Sequence, residues 1–259
     1  MTAWIFYSDH GKEFPAHRIY LHTTQSVSPA DSLRRIYRNI DINPEMIYYL
    51  KNRTGETFVE SLKKSVAAGL MIGIGCIVYL SLESKIAGAL LFSVGLFLIC
   101  SFGMFLFTGK IGYIIKTGNK PNCAVIWLGN LFGSIAVSVI ARIAKPSLHE
   151  TAAAMVENKL NQNYLAIVIL SFLCGILMYS AVENFRKNPN SVSGIVGIVL
   201  CVSVFILCGF EHSIADMNYL VMAISSADQA LQYLLFIVVV SVSNGLGALA
   251  IRFLTKEKE

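Results

Sequence analysis

Six apolar runs follow one another along the chain, at about residues 57–80, 86–116, 121–143, 162–183, 193–223 and 229–254, with short polar links between them. Each is at least as long as the ~20 residues a helix needs to cross a ~30 Å hydrocarbon core. In lipid a spanning segment must satisfy its own backbone hydrogen bonds, and isolated runs of this kind can do so only as helices. The pattern therefore predicts an all-α membrane protein with six transmembrane helices. The only sizeable polar stretch comes first, so the expected organisation is an N-terminal segment over 1–54, a six-span domain over 55–254 and a short tail over 255–259. Within the N-terminal segment, "NPEMIYYLKN" (43–52) predicts a short amphipathic helix at the membrane face, with Asn43 as N-cap and Pro44 in the first helical position. The first apolar run starts well inside the chain and lacks a cleavage-site pattern, so it reads as a span and not as a removable signal.

The second and fifth runs are too long for a single crossing, and both are interrupted. In the second, "CSFGMFLFTGKIG" places Gly103, Thr108, Gly109, Lys110 and Gly112 after the apolar "ALLFSVGLFLI". In the fifth, "LCGFEHSIADMNYL" follows "GIVGIVLCVSVFI". The third and sixth runs share an N-x-x-G spacing, Asn130 with Gly133 and Asn244 with Gly247. Spans 1–3 and 4–6 thus read as two copies of one unit. Three spans per copy is odd, so the copies insert with opposite topology. Inverted repeats with a discontinuous helix in each half point to a transport site near the bilayer midplane. The glycines of "AAGLMIGIG" in the first run read more simply as small residues that let helices approach closely.

Composition sharpens this picture. Hydrophobic residues make up 55% and charged residues only 14%, and the mean hydropathy is +0.60, which excludes an ordinary soluble domain. Lys and Arg cluster in the N-terminal segment, after spans 2 and 4, and in the tail, which predicts that both termini are cytoplasmic. The net charge of +5 follows from that bias and does not call for a nucleic-acid partner. The six cysteines, at 76, 100, 123, 174, 201 and 208, have neither metal-ligand nor redox spacing and read as small apolar side chains.

The candidate chemistry sits in "GFEHSIADM" (209–217). An ionisable residue inside a span is costly and marks a functional site by default. His212 is the candidate pore group, against the plainer reading of a neutral imidazole satisfied by neighbouring helices. Glu211 is expected to act as a structural acceptor that holds broken-helix N–H groups or the imidazole, and Asp216 to cap the second half of the broken helix. The other histidines, at 10, 17, 22 and 149, lie outside the spans, so zinc would lack its three or four ligands. No nucleophile elbow, zinc-protease, C-x-x-C or phosphate-loop motif is present. The expectation is no enzyme, no metal and no cofactor.

With those residues in view, the chain resembles the formate/nitrite transporter family of formate, nitrite and hydrosulfide channels. The resemblance covers about residues 55–254 and rests on "FSVGLFLICSFGMFLFTGKIG" (92–112), "GNLFGS" (129–134), "GFEHSIADM" and "SNGLGAL" (243–249), with Lys159 ahead of the fourth span. It implies an aquaporin-like fold and a homopentamer in the cell inner (plasma) membrane, with one pore per protomer. It also implies site residues: His212 as pore histidine, with Thr108 beside it, Lys159 acting from the outer side and Asn244 on span 6. Leu96 and Phe205 match one apolar constriction, and Phe92 and Phe107 match other pore-lining positions. Asn130, Gly103 and Gly209 would serve as structural support. Three positions depart from the family pattern. "Met104-Phe105-Leu106" lacks the acidic residue usual before the Phe-Thr of span 2, Ser243 replaces a usual glycine, and Gly175 a common asparagine. They lean the chain towards a hydrosulfide-type or divergent member.

The expected mechanism is that Lys159 draws a small monovalent anion into a vestibule and that His212 shares or supplies a proton. The neutral acid then crosses Leu96 and Phe205, with Thr108 and Asn244 replacing lost water. The alternative from another class is a membrane-embedded sensor or structural protein in which Glu211 and His212 form a buried polar lock. An aquaporin-type neutral-solute channel lacks the N-P-A turns it would need.

Overall fold

The computed structural model describes residues 58–115, 120–189 and 191–255, all within one compact unit, Asn52–Glu259. The amphipathic helix expected at 43–52 and most of the tail lie outside the described residues. Nine α-helices form among the described residues: α1 (Phe58–Ser81), α2 (Lys85–Ser101), α3 (Phe107–Lys110), α4 (Cys123–Ala144), α5 (Ser147–Leu160), α6 (Tyr164–Lys187), α7 (Val192–Leu207), α8 (Ser213–Ala223) and α9 (Asp228–Thr255). A 3-10 turn over Ile111–Ile115 continues α3.

Four helices, α1, α4, α6 and α9, are long and apolar enough to cross a membrane, and α2 and α7 are shorter apolar helices. Their starts are fixed by the polar residues between the apolar runs. Ser84, Asn122, Asn163 and Ser191 each accept a hydrogen bond from a first-turn N–H of α2, α4, α6 and α7, which satisfies a donor the helix cannot.

The second apolar run divides into α2 and α3, the fifth into α7 and α8. Each first helix ends at a glycine with positive φ, +63° at Gly103 and +65° at Gly209. That left-handed conformation is one only glycine adopts readily, and it turns the chain out of the helix. The two breaks also close alike: Met104 N donates to Ile99 O and Phe210 N to Phe205 O. The same separation along the chain relates Phe105 to Glu211, Leu106 to His212 and Phe107 to Ser213.

Small residues bring α1 against α4 and α6 against α9 at backbone distance. A Cβ on Gly69 would lie 2.2 Å from the Asn130 carbonyl oxygen, and one on Gly175 would lie 2.0 Å from that of Asn244. Gly175, a departure from the family pattern, therefore has no room for any side chain here.

One helix is missed by the hydropathy pattern. α5 occupies the link between the two halves, with Leu148, Ala152 and Val156 buried along one face. It carries Lys159 in its last turn and packs beside α8, where the fifth run's chemistry lies.

Candidate functional site

Two asparagines hold the non-helical breaks. Asn130, on α4, accepts from Phe107 N through Oδ1 (2.9 Å) and donates through Nδ2 to Ser65 O (2.7 Å) and Phe105 O (2.8 Å). Asn244, on α9, accepts from Ser213 N (2.9 Å) and donates to Ser171 O (2.7 Å) and Glu211 O (2.8 Å). Each side chain thereby ties the residues on either side of a break to a neighbouring long helix. Buried backbone polar groups need partners, and where the chain leaves its helix these amides supply them. Both amide hydrogens of Asn244 are committed to carbonyls. Asn244, expected to lend a hydrogen bond to a passing solute, spends these bonds on the backbone at the break in this structure.

His212 stands where the second break meets α8, buried at 1% exposure. Its Nδ1 accepts from Ala215 N at 3.1 Å and so caps the helix. Asp216 was expected to be that cap. It lies instead inside the first turn of α8, and its carboxylate points elsewhere. The cap fixes the tautomer. A backbone N–H can only donate, so Nδ1 carries no proton and the neutral ring bears its proton on Nε2. Nε2 sits 2.9 Å from Thr108 Oγ1 on α3. The imidazole thus joins the two breaks: one ring nitrogen holds its own helix and the other meets a hydroxyl from the opposite half.

Apolar rings wall the histidine on one side. Phe205 lies 5.5 Å from the imidazole centroid to centroid, and Phe92 meets Phe205 edge to face at 5.8 Å. Leu96, Phe92 and Phe205 are buried in the same apolar core. Phe107, buried as well, is fixed through its backbone N–H by Asn130.

On the other side lies a cavity of about 320 Å³, lined by Phe205, Lys159, Glu211, His212, Asp216 and Tyr219 among others. Lys159 Nζ donates to Glu211 Oε2 and lies 3.0 Å from Asp216 Oδ1, and Gln162 Nε2 donates to Glu211 Oε1 at 2.7 Å. Burial alone would lower the ammonium's pKa, but the Asp216 and Glu211 carboxylates outweigh it and raise it above the ordinary lysine value. Glu211 was expected to hold the imidazole or the broken-helix N–H groups. Its carboxylate turns to Lys159 and Gln162, so the Glu–His polar lock does not form. Lys159 is accordingly no isolated cation, because two carboxylates face it.

Two contributors escaped the sequence reading, Gln162 and Asn218, and a third, Asp216, was read there only as a cap. Gln162 follows Lys159 by three residues and completes Glu211. Asp216 joins the ion cluster. Asn218, on the next turn of α8, donates to Ser134 Oγ (2.9 Å) and accepts from Ser138 Oγ (3.1 Å), which locks α8 onto α4. The last had a visible signal, an asparagine four residues beyond Ile214 in an apolar helix facing a run with two serines.

The family model described as formate/nitrite transporter matches residues 42–256. The chain belongs to the formate/nitrite transporter family. Among curated family members, the formate channel FocA of Haemophilus influenzae is 22% identical over 191 residues, covering 64% of this chain and 67% of that one. The nitrite transporter NirC of Escherichia coli K12 is 28% identical over 175 residues, covering 60% and 65%. The chain thus spans about two thirds of the length of these relatives. Among solved structures, a pentameric formate channel with formate bound matches with a TM-score of 0.63 at 25% identity, over 76% of this chain and 93% of the other. An FNT family ion channel matches with a TM-score of 0.62 at 24% identity and agrees in fold.

Proposed function

We propose that the protein is a transmembrane channel or transporter for small monovalent weak-acid anions, with formate, nitrite or hydrosulfide as the permeant class. It works as a homopentamer in the cell membrane, both termini cytoplasmic. In this reading each protomer is two inverted three-span repeats, with spans 2 and 5 broken around the pore. Membership of the family and the likeness to a pentameric formate channel support it. The observation that carries it is the placement of His212, between Thr108 and Phe205 at the wall of a cavity that also holds Lys159.

The energetics favour moving a neutral acid. The idealised cost of taking a bare anion into an apolar constriction is of order 20 kcal/mol, and still several after relaxation. Protonating an acid of pKa near 4 at pH 7 costs about 4 kcal/mol, at ~1.4 kcal/mol per pH unit. Protonation is the cheaper route. The anion enters the cavity, where Lys159 offers a cation, and gains a proton there, or takes the Nε2 proton of His212 as a proton from the water of the cavity replaces it. It then passes Phe205, Leu96 and Phe92 as the neutral species. Thr108 and the Nε2–H of His212 stand in for lost water at the driest point. Asn130 and Asn244 hold that geometry without touching the solute.

Uptake into proteoliposomes tests this. Formate, nitrite and hydrosulfide should cross faster as the medium is made more acidic between about pH 8 and pH 5, whereas chloride, which cannot be protonated there, should not cross. Chloride flux equal to formate flux, or no flux above empty vesicles, would overturn the proposal.

A further inference from the structure

The cavity beside His212 is lined by two lysines, Lys159 and Lys85, and by two buried carboxylates. Glu211 and Asp216 are each 1% exposed, and Lys159 Nζ lies between them. The groups do not share their bonds equally. Glu211 takes one bond on each oxygen, from Lys159 and Gln162, whereas Asp216 Oδ2 is buried with no hydrogen-bond partner among the described residues while its side chain lines the cavity. The titratable groups facing Asp216 are Lys159 from α5, Glu211 and His212 from the break, Tyr219 one turn along α8, Cys76 and Tyr79 from α1, and Cys174 from α6, with Lys85 of α2 at the cavity wall. Lys159 is the one cation in contact with either carboxylate there among the described residues. An unpartnered carboxylate oxygen in so dry a place, with a second carboxylate on the same ammonium, favours taking up a proton.

Building on the weak-acid reading above, we propose that Glu211 and Asp216 hold one proton in common and that this shared proton is the acid the cavity lends to an arriving anion. The step balances. The carboxyl O–H bond breaks and an O–H or S–H bond forms on the anion. The neutral acid leaves towards Phe205, both carboxylates stand ionised against Lys159, and a proton from bulk water on the same side restores the pair. While the pair is protonated the cluster is neutral and an anion can approach Lys159. Once it is deprotonated the cluster carries a net negative charge that repels the anion. Asp216 thus helps to load the proton, and His212 lies next on the anion's path.

The test compares the parent pentamer with Asp216→Asn and Glu211→Gln in liposomes. Each variant leaves one carboxylate paired with Lys159, and neither needs a shared proton. Infrared spectra of the parent at neutral pH should show the carbonyl band of a protonated carboxyl group, moved by deuterium exchange and lost in both variants. No such band in the parent, its survival in both variants, or its loss in only one of them would overturn the shared proton. In transport, Asp216→Asn removes the proton that is lent, so formate uptake should fall roughly a hundredfold or more, the usual worth of a positioned proton donor. Parent-like uptake by the folded variant would overturn the transport role. Dependence of the band on sodium in place of choline would put a metal cation in the site and overturn the proposal as well. The expected infrared result with no uptake by any of the proteins would overturn the weak-acid reading and leave the shared proton standing.

Discussion

Replacing Asn244 by Ala removes three hydrogen bonds at once: from Ser213 N–H, to Ser171 O and to Glu211 O. Asn244 is fully buried, so water cannot take its place at once. Side-chain hydrogen bonds between membrane helices average only about 0.6 kcal/mol, because the separated helices find other partners. That low figure does not fit here. Ser213 N–H and Glu211 O flank a break in the helix and have no intrahelical alternative, so the cost per stranded group is nearer the 1–3 kcal/mol of an orphaned buried polar atom. Over these two groups the loss comes to about 2–6 kcal/mol, Ser171 O keeping its place in the helix ladder. Asn130→Ala strands an equivalent set, with bond lengths that match those of Asn244 to the tenth of an ångström, and should cost the same within about 1 kcal/mol. Unfolding of the reconstituted protein by titration with sodium dodecyl sulfate in mixed micelles measures both. The Asn244 variant should also lose uptake out of proportion to its stability, because Ser213 N–H is the bond that seats His212. Losses below about 1 kcal/mol, or a large loss for one asparagine and none for the other, would refute the argument that the two clamps are equivalent.

Two further outcomes follow from the site. Lys159→Ala leaves Glu211 and Asp216 buried with no cation and should destabilise the protein by about 3–5 kcal/mol as well as abolish uptake, whereas Lys159→Arg should keep the fold and part of the flux; melting temperature and uptake measured together show whether the two losses separate. Thr108→Val keeps the side-chain shape but removes the hydroxyl facing His212 Nε2, so uptake should fall about tenfold or more for a lost interaction of ~1.4 kcal/mol, with pentamer assembly unchanged by size-exclusion chromatography; unchanged uptake would take Thr108 out of the path.

The apolar runs, the glycine breaks and the two N-x-x-G motifs were legible because hydropathy and backbone conformation are local properties. The α2 and α7 helices end at Gly103 and Gly209 because a positive φ can be read from residue type and context. The link carrying α5 looked like a loop because alanine, glutamate and lysine give it little hydropathy, although Leu148, Ala152 and Val156 repeat every four residues. The partners of Glu211 were hidden for a different reason. Which way a carboxylate turns from a helix break depends on the rotation of α5 and α8 about their axes, and Lys159 lies far from Glu211 along the chain. Capping preferences favour aspartate over histidine, so Asp216 was the natural guess. Only the fold shows that His212 caps with a ring nitrogen, leaving Asp216 free to face Lys159. The same limit applied to Asn244, whose motif marks its importance but not whether it faces solute or backbone.

The central claim is that a titratable imidazole at position 212 couples a proton to the passage of a small anion. The imidazole carries its exchangeable proton on Nε2, facing Thr108, whereas asparagine keeps a polar side chain that can cap α8 but has no ring proton to exchange. The most direct test is formate uptake by liposomes containing the parent or His212→Asn pentamer, measured across about pH 5 to pH 8. The account predicts that the folded variant assembles normally and loses the rise of uptake with acidity. A folded His212→Asn pentamer with the parent's rate and pH profile would contradict it.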